Sequence, residues 1–197
     1  KNTVFITDSR GYTPSYEAAA MFISSPVFDS DNKPSGVLIY QIPANLINDV
    51  MTHHSKWEDV GLGVSGETFL VGSDKTLRSE SRYMIENQDK YLKSLKILGS
   101  QSPETLEKMA QQNSGIGLQI INSYGVEEVI KGKSGLRQFK NYRNELVFSA
   151  YKPLKIEGIN WSVMSEITTE EALSSIDNLQ TEITFTALVS VLGAFIL

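Results

Sequence analysis

The chain contains no cysteine and only two histidines, His53 and His54. The missing thiols exclude a disulfide framework, a zinc–thiolate centre and a cysteine nucleophile. The two histidines are adjacent, so their side chains point to different sides of a helix or strand and are poorly placed to share a metal ion. We therefore expect no metal site and no cofactor.

The chain has 18 Lys and Arg and 23 Asp and Glu, which gives a formal net charge of −5. Basic residues are therefore not in excess. A nucleic-acid-binding surface needs a dense positive face. The only local basic cluster, formed by Lys131, Lys133 and Arg137, lies among glycines and predicts a solvated loop. We expect no nucleic-acid partner.

No catalytic triad is recognisable. The serines in 65–81 have no histidine near them in sequence. Glu67 and Asp74 form a nearby carboxylate pair, but Glu67 is more simply interpreted as a strand residue that bonds Arg78 or Arg82. By the usual criteria for an active site, we expect no catalytic residue and no enzymatic activity in this region.

The sequence ends in an apolar run, 183–197, ITFTALVSVLGAFIL, which has no charged residue. A membrane-spanning helix needs about 20 apolar residues, so this run has the length of only part of one. We expect 183–197 to be the start of a transmembrane helix that continues beyond the sequence. A buried C-terminal core helix is the alternative.

The first third of the chain predicts a hairpin and a helix. Apolar, β-rich residues in 18–28 and the apolar run 36–42 flank a polar turn cluster at 29–34. Pro43 then opens a helix, since proline fits the first helical position. The glycines of GLGVSG (61–66) precede a strand rather than a helix, so they predict a backbone turn and not a phosphate-binding loop.

The rest of the chain predicts an α+β module. A strand at 66–72 is followed by a turn and a returning strand at 76–79, and 84–130 is more helical, with Pro103 at one helix start. A final helix begins near Thr168, where Thr168 and Glu171 have capping-box spacing: hydroxyl and carboxylate would satisfy the amides of the first turn. Three late strands are predicted before that helix, at 136–142, 146–154 and 160–167.

A weak internal repeat relates 22–48 to 148–175, with Pro26 aligned to Pro153 and Ile42 to Ile167. Each copy has a strand ending near proline, a polar turn, an apolar strand and a departing helix. Only the second copy is preceded by a matching front half. We therefore expect roughly 60–70 residues of the first module to lie before Lys1, from the repeat offset.

The segment GLGVSGETFLVGSDKTLRSESR (61–82) resembles the membrane-proximal half of double Cache sensor regions in bacterial methyl-accepting chemotaxis receptors and related membrane-bound nucleotide cyclases and sensor kinases. Upstream blocks YTPSYEAAAMFISSPVFD and GVLIYQIP, and downstream blocks FKNYRNELVFSAYKPL and NWSVMSEIT, extend the resemblance over nearly the whole chain. The matching motif residues are Gly61, Gly63, Ser65, Gly66, Glu67, Thr68, Phe69, Leu70, Val71, Gly72, Asp74, Arg78, Ser79, Ser81 and Arg82.

The resemblance implies a PAS-like fold with a central antiparallel five-stranded sheet flanked by helices. Residues 1–54 would be the C-terminal half of a membrane-distal Cache module plus a linker helix, and 55–167 the membrane-proximal module. A stalk helix at 168–182 would lead into the transmembrane segment 183–197. Residues 1–182 would then lie outside the bacterial cell membrane, in the periplasm or beyond.

The function implied is extracytoplasmic ligand sensing by a chemotaxis receptor, with the sensor region of a cyclase or histidine kinase, or a ligand-free protein-docking module, as alternatives. The partner would be a small molecule, for example a carboxylate, or a periplasmic binding protein, and the receptor would be a homodimer.

Guanidinium groups bind carboxylates through paired hydrogen bonds, and tyrosines supply rings and hydroxyls to a pocket wall. Surface salt bridges and strand packing are the competing interpretation. The two tryptophans, Trp57 and Trp161, are expected in the core and not in a ligand site. The candidate ligand-binding residues are Arg78, Arg82, Tyr142, Arg143 and Tyr151 in the proximal module, and Tyr12, Ser15 and Tyr40 in the distal one.

Overall fold

A computed structural model describes residues 4–174, which form two antiparallel sheets of four strands each, with helices packed against the second. In the first sheet, the long strand β3 pairs with β4 along one edge and with the short strands β1 and β2 along the other. Its strands are β1 (Phe5–Ile6), β2 (Arg10–Tyr12), β3 (Ala18–Phe28) and β4 (Pro34–Pro43).

Helix α1 (Ala44–Thr52) follows the first sheet and leads to the second. The second sheet has the strand order β5-β8-β7-β6, so its first and last strands in sequence lie side by side. Its strands are β5 (Glu67–Gly72), β6 (Gly135–Lys140), β7 (Leu146–Pro153) and β8 (Trp161–Thr168). Between β5 and β6 run α2 (Arg82–Glu86), α3 (Gln88–Leu98), α4 (Pro103–Gln112) and α5 (Tyr124–Ile130).

Strands β5 and β8 of the second sheet are buried on both faces, and their side chains alternate between two apolar clusters. The pair Phe69 and Met164 points to the helices and forms a core with Leu95, Met109 and Val126. The opposite face carries a second apolar cluster, which joins the sheet to α1 and to the first sheet; it includes Leu70, Val163, Trp161, Met21 and Ile47. The two apolar clusters make β5 and β8 the centre of the molecule.

A buried arginine also joins the two sheets. Arg78 is 4% exposed, and its guanidinium donates through Nε and Nη2 to the two carboxylate oxygens of Asp8, at 2.8 and 2.9 Å. Nη2 also reaches Asp74 at 3.0 Å, and the indole of Trp161 donates to Asp8 at 2.6 Å. Burial alone would raise the pKa of Asp8, but the hydrogen bonds from Arg78 and Trp161 hold it below its ordinary value.

Most of the predicted elements are confirmed, with differences at their ends. The strands predicted at 18–28 and 36–42 are β3 and β4. Pro43 ends β4 and occupies the N-cap position of α1, one residue before the helix that it was predicted to open. The glycine segment turns the chain as predicted, since Gly61 and Gly63 have φ angles of +78° and +55°.

The predicted fifth strand of the second sheet is wrong. The described part of that sheet has four strands, and the returning segment at 76–77 makes only isolated bridges, Val71 to Leu77 and Thr76 to Ile120. Arg78 accounts for this difference. Its amide donates to the Leu70 carbonyl, but its side chain leaves the strand to pair with Asp8. The chain then leaves the sheet into α2.

The predicted capping box is half correct. Thr168 Oγ1 accepts the Glu171 amide at 3.3 Å and caps a helix described over 169–174. The Glu171 carboxylate does not return to the Thr168 amide; Ser65 Oγ accepts that amide instead, at 3.1 Å. The rest of the predicted stalk helix and the predicted membrane segment 183–197 lie outside the described residues. Among those described, no helix has the length and apolar character needed to cross a bilayer.

We expect Arg78→Met to lower the free energy of unfolding by about 2–4 kcal/mol, because it leaves the half-buried Asp8 carboxylate without its cation. Urea unfolding measured by circular dichroism gives this value. The matched control is Lys108→Met, which breaks an exposed ion pair with Glu104 and should leave stability unchanged. Equal effects of the two substitutions would contradict the assigned role of Arg78.

Candidate functional site

A cleft opens beside the second sheet, where the start of α3 faces the turn between β6 and β7. Its volume is about 470 Å³. Of the eight residues predicted to bind a ligand, only Arg143 lines it. The lining residues are Val64, Tyr83, Glu86, Asn87, Lys90, Tyr91, Ser94, Leu98, Arg143 and Glu145.

Arg143 forms one wall of the cleft, stacked on an aromatic ring. Its Cζ lies 3.2 Å from the centroid of the Tyr83 ring, a cation–π contact. Its Nη2 pairs with the exposed carboxylate of Glu145, two residues along the chain, while its Nε is buried without a hydrogen-bond partner within the described residues. The guanidinium is therefore held in place but keeps an unused donor.

Lys90 adds positive charge on the other side. It lies in the first turn of α3, whose N-cap Asn87 accepts the Lys90 amide at 3.0 Å. Within residues 4–174, the Lys90 ammonium has no ion-pair partner, whereas Glu86 on the rim is paired with Arg82 at 2.6 Å. Since the N-terminus of a helix also favours anions, the side of the cleft near Lys90 suits a negatively charged group.

Behind the cleft lies a buried carboxylate, Glu67, which is 2% exposed. Tyr142 donates its hydroxyl to Glu67 at 2.5 Å and Ser81 donates at 3.2 Å. The predicted bond from Glu67 to Arg78 or Arg82 is therefore wrong, because both guanidiniums are bound elsewhere. Burial raises the pKa of Glu67, and the Arg143 charge and the Tyr142 hydrogen bond oppose that rise.

A second buried carboxylate faces the first. Glu166 is the direct cross-strand partner of Glu67 in the β5–β8 ladder, and such neighbours have Cβ atoms about 5 Å apart. Glu166 accepts from Ser149 at 3.0 Å, but its Oε2 is buried with no partner in the described chain. Burial, followed by the charge of Glu67, raises the pKa of Glu166 to about 7.

Arg82 is placed beside the cleft and not in it. Its guanidinium lies 4.6 Å from the ring centroid of Trp57, and Nη1 donates to the carbonyls of Gly63 and Gly66, at 2.8 and 2.7 Å. Its donors are thus used to fix the glycine-rich loop.

The remaining predicted residues are dispersed. Tyr142 and Tyr151 are buried in the core facing the helices. Arg78 borders a polar cavity of about 560 Å³ between β2 and α4, where its donors are already occupied by carboxylates. Tyr12 lines a cavity beside Phe22 in the first sheet, Ser15 lines one shared with Glu80, and Tyr40 is 63% exposed on β4. The structure therefore does not bring the eight residues together.

Sequence reasoning missed Tyr83, Lys90 and Glu166. Tyr83 and Lys90 carry no local signal, because their importance arises from the approach of the β6–β7 turn to α2 and α3. Glu166 did carry one: it occupies the same alternating face of its strand as Met164, which predicts burial of an acidic side chain. A buried acidic side chain indicates an environment that shifts its pKa.

Comparisons with known proteins give a match in structure only. No protein-family model matches the chain, and no curated protein is similar enough in sequence to match. The periplasmic sensory domain of the chemoreceptor Tlp1 from Campylobacter jejuni superposes with a TM-score of 0.51 at 14% identity, over 86% of this chain and 50% of that one.

A second solved structure, described as a methyl-accepting chemotaxis protein X, gives the same score and identity over 84% of this chain and 51% of its own. The chain thus spans about half the length of these structures. At 14% identity the likeness concerns the fold. It confirms the α+β prediction and the resemblance to Cache-type sensory domains at that level.

The buried acidic pair predicts a pH dependence of stability. A carboxyl group whose pKa is near 7 when folded, and near 4.5 when unfolded, stabilises the fold fully below pH 4.5, and that contribution is lost as pH rises towards and past 7. We expect the loss to be about 3 kcal/mol. Chemical unfolding at a series of pH values between 4 and 8 measures it.

Glu166→Gln should abolish most of this loss, because the amide keeps the shape and the acceptor for Ser149 but does not ionise. The control Glu170→Gln removes an exposed carboxylate four residues on and should retain the wild-type profile. A Glu166→Gln profile that parallels the wild type would contradict the assignment of Glu166 as the group responsible.

Proposed function

We propose that this chain is the extracytoplasmic ligand-sensing region of a bacterial transmembrane receptor, of the methyl-accepting chemotaxis type. The observation that carries the proposal is the shared fold with the periplasmic sensory domain of Tlp1 and the chemotaxis protein. The chain itself acts by binding and not by catalysis.

The domain division expected from the sequence is also part of the proposal, with a partial distal module at 1–54 and a proximal one at 55–167. The hairpin β3–β4 corresponds to β7–β8, and each hairpin is followed by a helix. In the second sheet β8 also pairs with β5, whereas β4 has no second neighbour among the described strands.

The edge of β4 that is unpaired among the described strands supports the proposal that a further strand pairs there. Val37, Leu38, Ile39 and Tyr40 on this strand are 48–63% exposed, and a row of unpaired backbone groups with apolar side chains is a surface that folded proteins cover. We propose that the front half of the distal module, in a longer polypeptide, provides the strand that pairs here. The half-length match to the solved sensory domains supports this occupant.

The proposed ligand is a small carboxylate that binds in the cleft. Its carboxylate would approach Lys90 and replace Glu145 as the partner of Arg143, and its apolar part would contact Tyr83, Tyr91 and Leu98. Replacing Glu145 by a ligand carboxylate costs little, because the Glu145 carboxylate is exposed and its ion pair with Arg143 contributes little to stability. Tyr12 and Ser15 remain candidates for a second site in a complete distal module.

Location is testable because the chain has no cysteine. In the full-length membrane protein, Lys93→Cys places a thiol on the exposed side of α3. We expect a membrane-impermeant maleimide to label it in intact spheroplasts, above the level of the unsubstituted protein. Labelling that needs cell lysis would place this region in the cytoplasm and overturn the proposal.

Ligand binding is testable by thermal unfolding of the chain with acetate, lactate, pyruvate, succinate and citrate, each at several concentrations. A ligand raises the melting temperature with its occupancy, and a concentration 100 times its Kd stabilises by about 2.7 kcal/mol. We expect at least one of these anions to exceed sodium chloride of equal ionic strength.

Lys90→Gln and Arg143→Gln should each remove that shift, whereas Lys93→Gln, on the same helix but outside the cleft, should keep it. Retention of the shift in the Lys90 and Arg143 variants would move the site elsewhere. The absence of any shift beyond that of chloride would overturn the carboxylate assignment.

A further inference from the structure

The wall of the cleft is bonded directly to the glycine-rich loop 62–66. Tyr83, the ring under Arg143, donates its hydroxyl to the carbonyl of Ser65 at 2.7 Å. Val64, at the tip of the loop, is itself a lining residue of the cleft. A change in the position of Tyr83 or Val64 therefore changes the position of the loop.

The other side of the same loop is bonded to the helix described over 169–174, here called the C-terminal helix. The carboxylate of Glu171 accepts the amides of Val64 and Ser65, both at 2.7 Å, and the Ser65 hydroxyl as well. Ser65 Oγ in turn accepts the amide of Thr168, the N-cap of that helix. The hydrogen bond from Ser65 holds the pKa of Glu171 below its ordinary value, so the carboxylate is ionised at neutral pH.

The loop is also braced internally by hydrogen bonds. The Gly66 amide bonds the Leu62 carbonyl at 2.8 Å, and Arg82 bridges the carbonyls of Gly63 and Gly66. Gly63 combines a positive φ with contact to Glu171, since a Cβ at this position would collide with the carboxylate. Such a loop transmits displacement instead of absorbing it.

We propose that Ser65 and Glu171 are positioning residues that couple the cleft to the C-terminal helix, through Tyr83 on one side of the loop and the Thr168 cap on the other. The coupling deepens the proposed sensory function and rests on it for its biological meaning. In this arrangement, a ligand that shifts Arg143 and Tyr83 changes the first turn of the helix without touching it. Energetic coupling of this kind is reciprocal between the two ends.

A double-mutant cycle tests the coupling in the absence of any ligand. Tyr83→Phe removes one hydroxyl, and Glu171→Gln removes the charge that holds the two loop amides. Amide hydrogen exchange is measured by NMR at residues 171–174 of the full 197-residue chain. We expect each variant to speed exchange by about tenfold, the effect of losing one hydrogen bond, and the double variant to speed it by about tenfold as well.

Tyr124→Phe is the matched control. The Tyr124 hydroxyl has no hydrogen-bond partner within the described chain and its ring lies on α5, so exchange at 171–174 should stay within about twofold of the wild type. If Glu171→Gln does not fold, Ser65→Ala takes its place in the cycle, because it removes the oxygen shared by Thr168 and Glu171.

Two results would overturn the inference. One is exchange in Tyr83→Phe within about twofold of the wild type. The other is a double variant that reaches about a hundredfold, the product of two independent effects. If no carboxylate binds, the ligand proposal is wrong but the coupling proposal is unaffected. If the two substitutions act independently in the cycle, the coupling proposal is wrong whatever the cleft binds.

Discussion

The structure depends on the pairing of β5 with β8 and on the burial of both faces of that pair. One face packs against α3, α4 and α5, and the other against α1 and the first sheet. Because side chains alternate on a strand, a shift of one residue in this register would exchange the two apolar sets. The same register places Glu67 opposite Glu166, so the burial that stabilises the fold also produces the acidic pair.

Much of the fold could be predicted from local patterns. Strands with alternating or continuous apolar residues, proline at the start of α4 and the turn at 61–66 all follow from rules that act over a few residues. The number of strands in the second sheet could not be predicted in this way. Whether 76–79 forms a strand depends on the ion pair between Arg78 and Asp8, which lies 70 residues earlier in the chain.

The candidate site was less accessible to sequence reasoning for the same reason. The chemistry of a side chain does not say which guanidinium already has a partner. Arg78 is bound by Asp8 and Asp74, and Arg82 by two backbone carbonyls. The Thr168–Glu171 spacing predicted a local cap, but Glu171 bonds a loop 107 residues away. Long-range partners decide the role of each polar group.

Arg143 connects these features, because one guanidinium faces three different neighbours. It stacks on Tyr83, pairs with Glu145 at the rim, and its charge opposes the rise in the pKa of the buried Glu67. Tyr83 is bonded to the loop through Ser65, Glu145 lies at the rim of the cleft, and Glu67 belongs to the acidic pair. An anion that draws Arg143 outward would weaken its effect on Glu67 and release Tyr83 together, since the same cation serves both. Arg143 therefore acts on the carboxylate pair through its charge and on the loop through Tyr83, and Glu171 bonds the same loop to the helix that begins at 169.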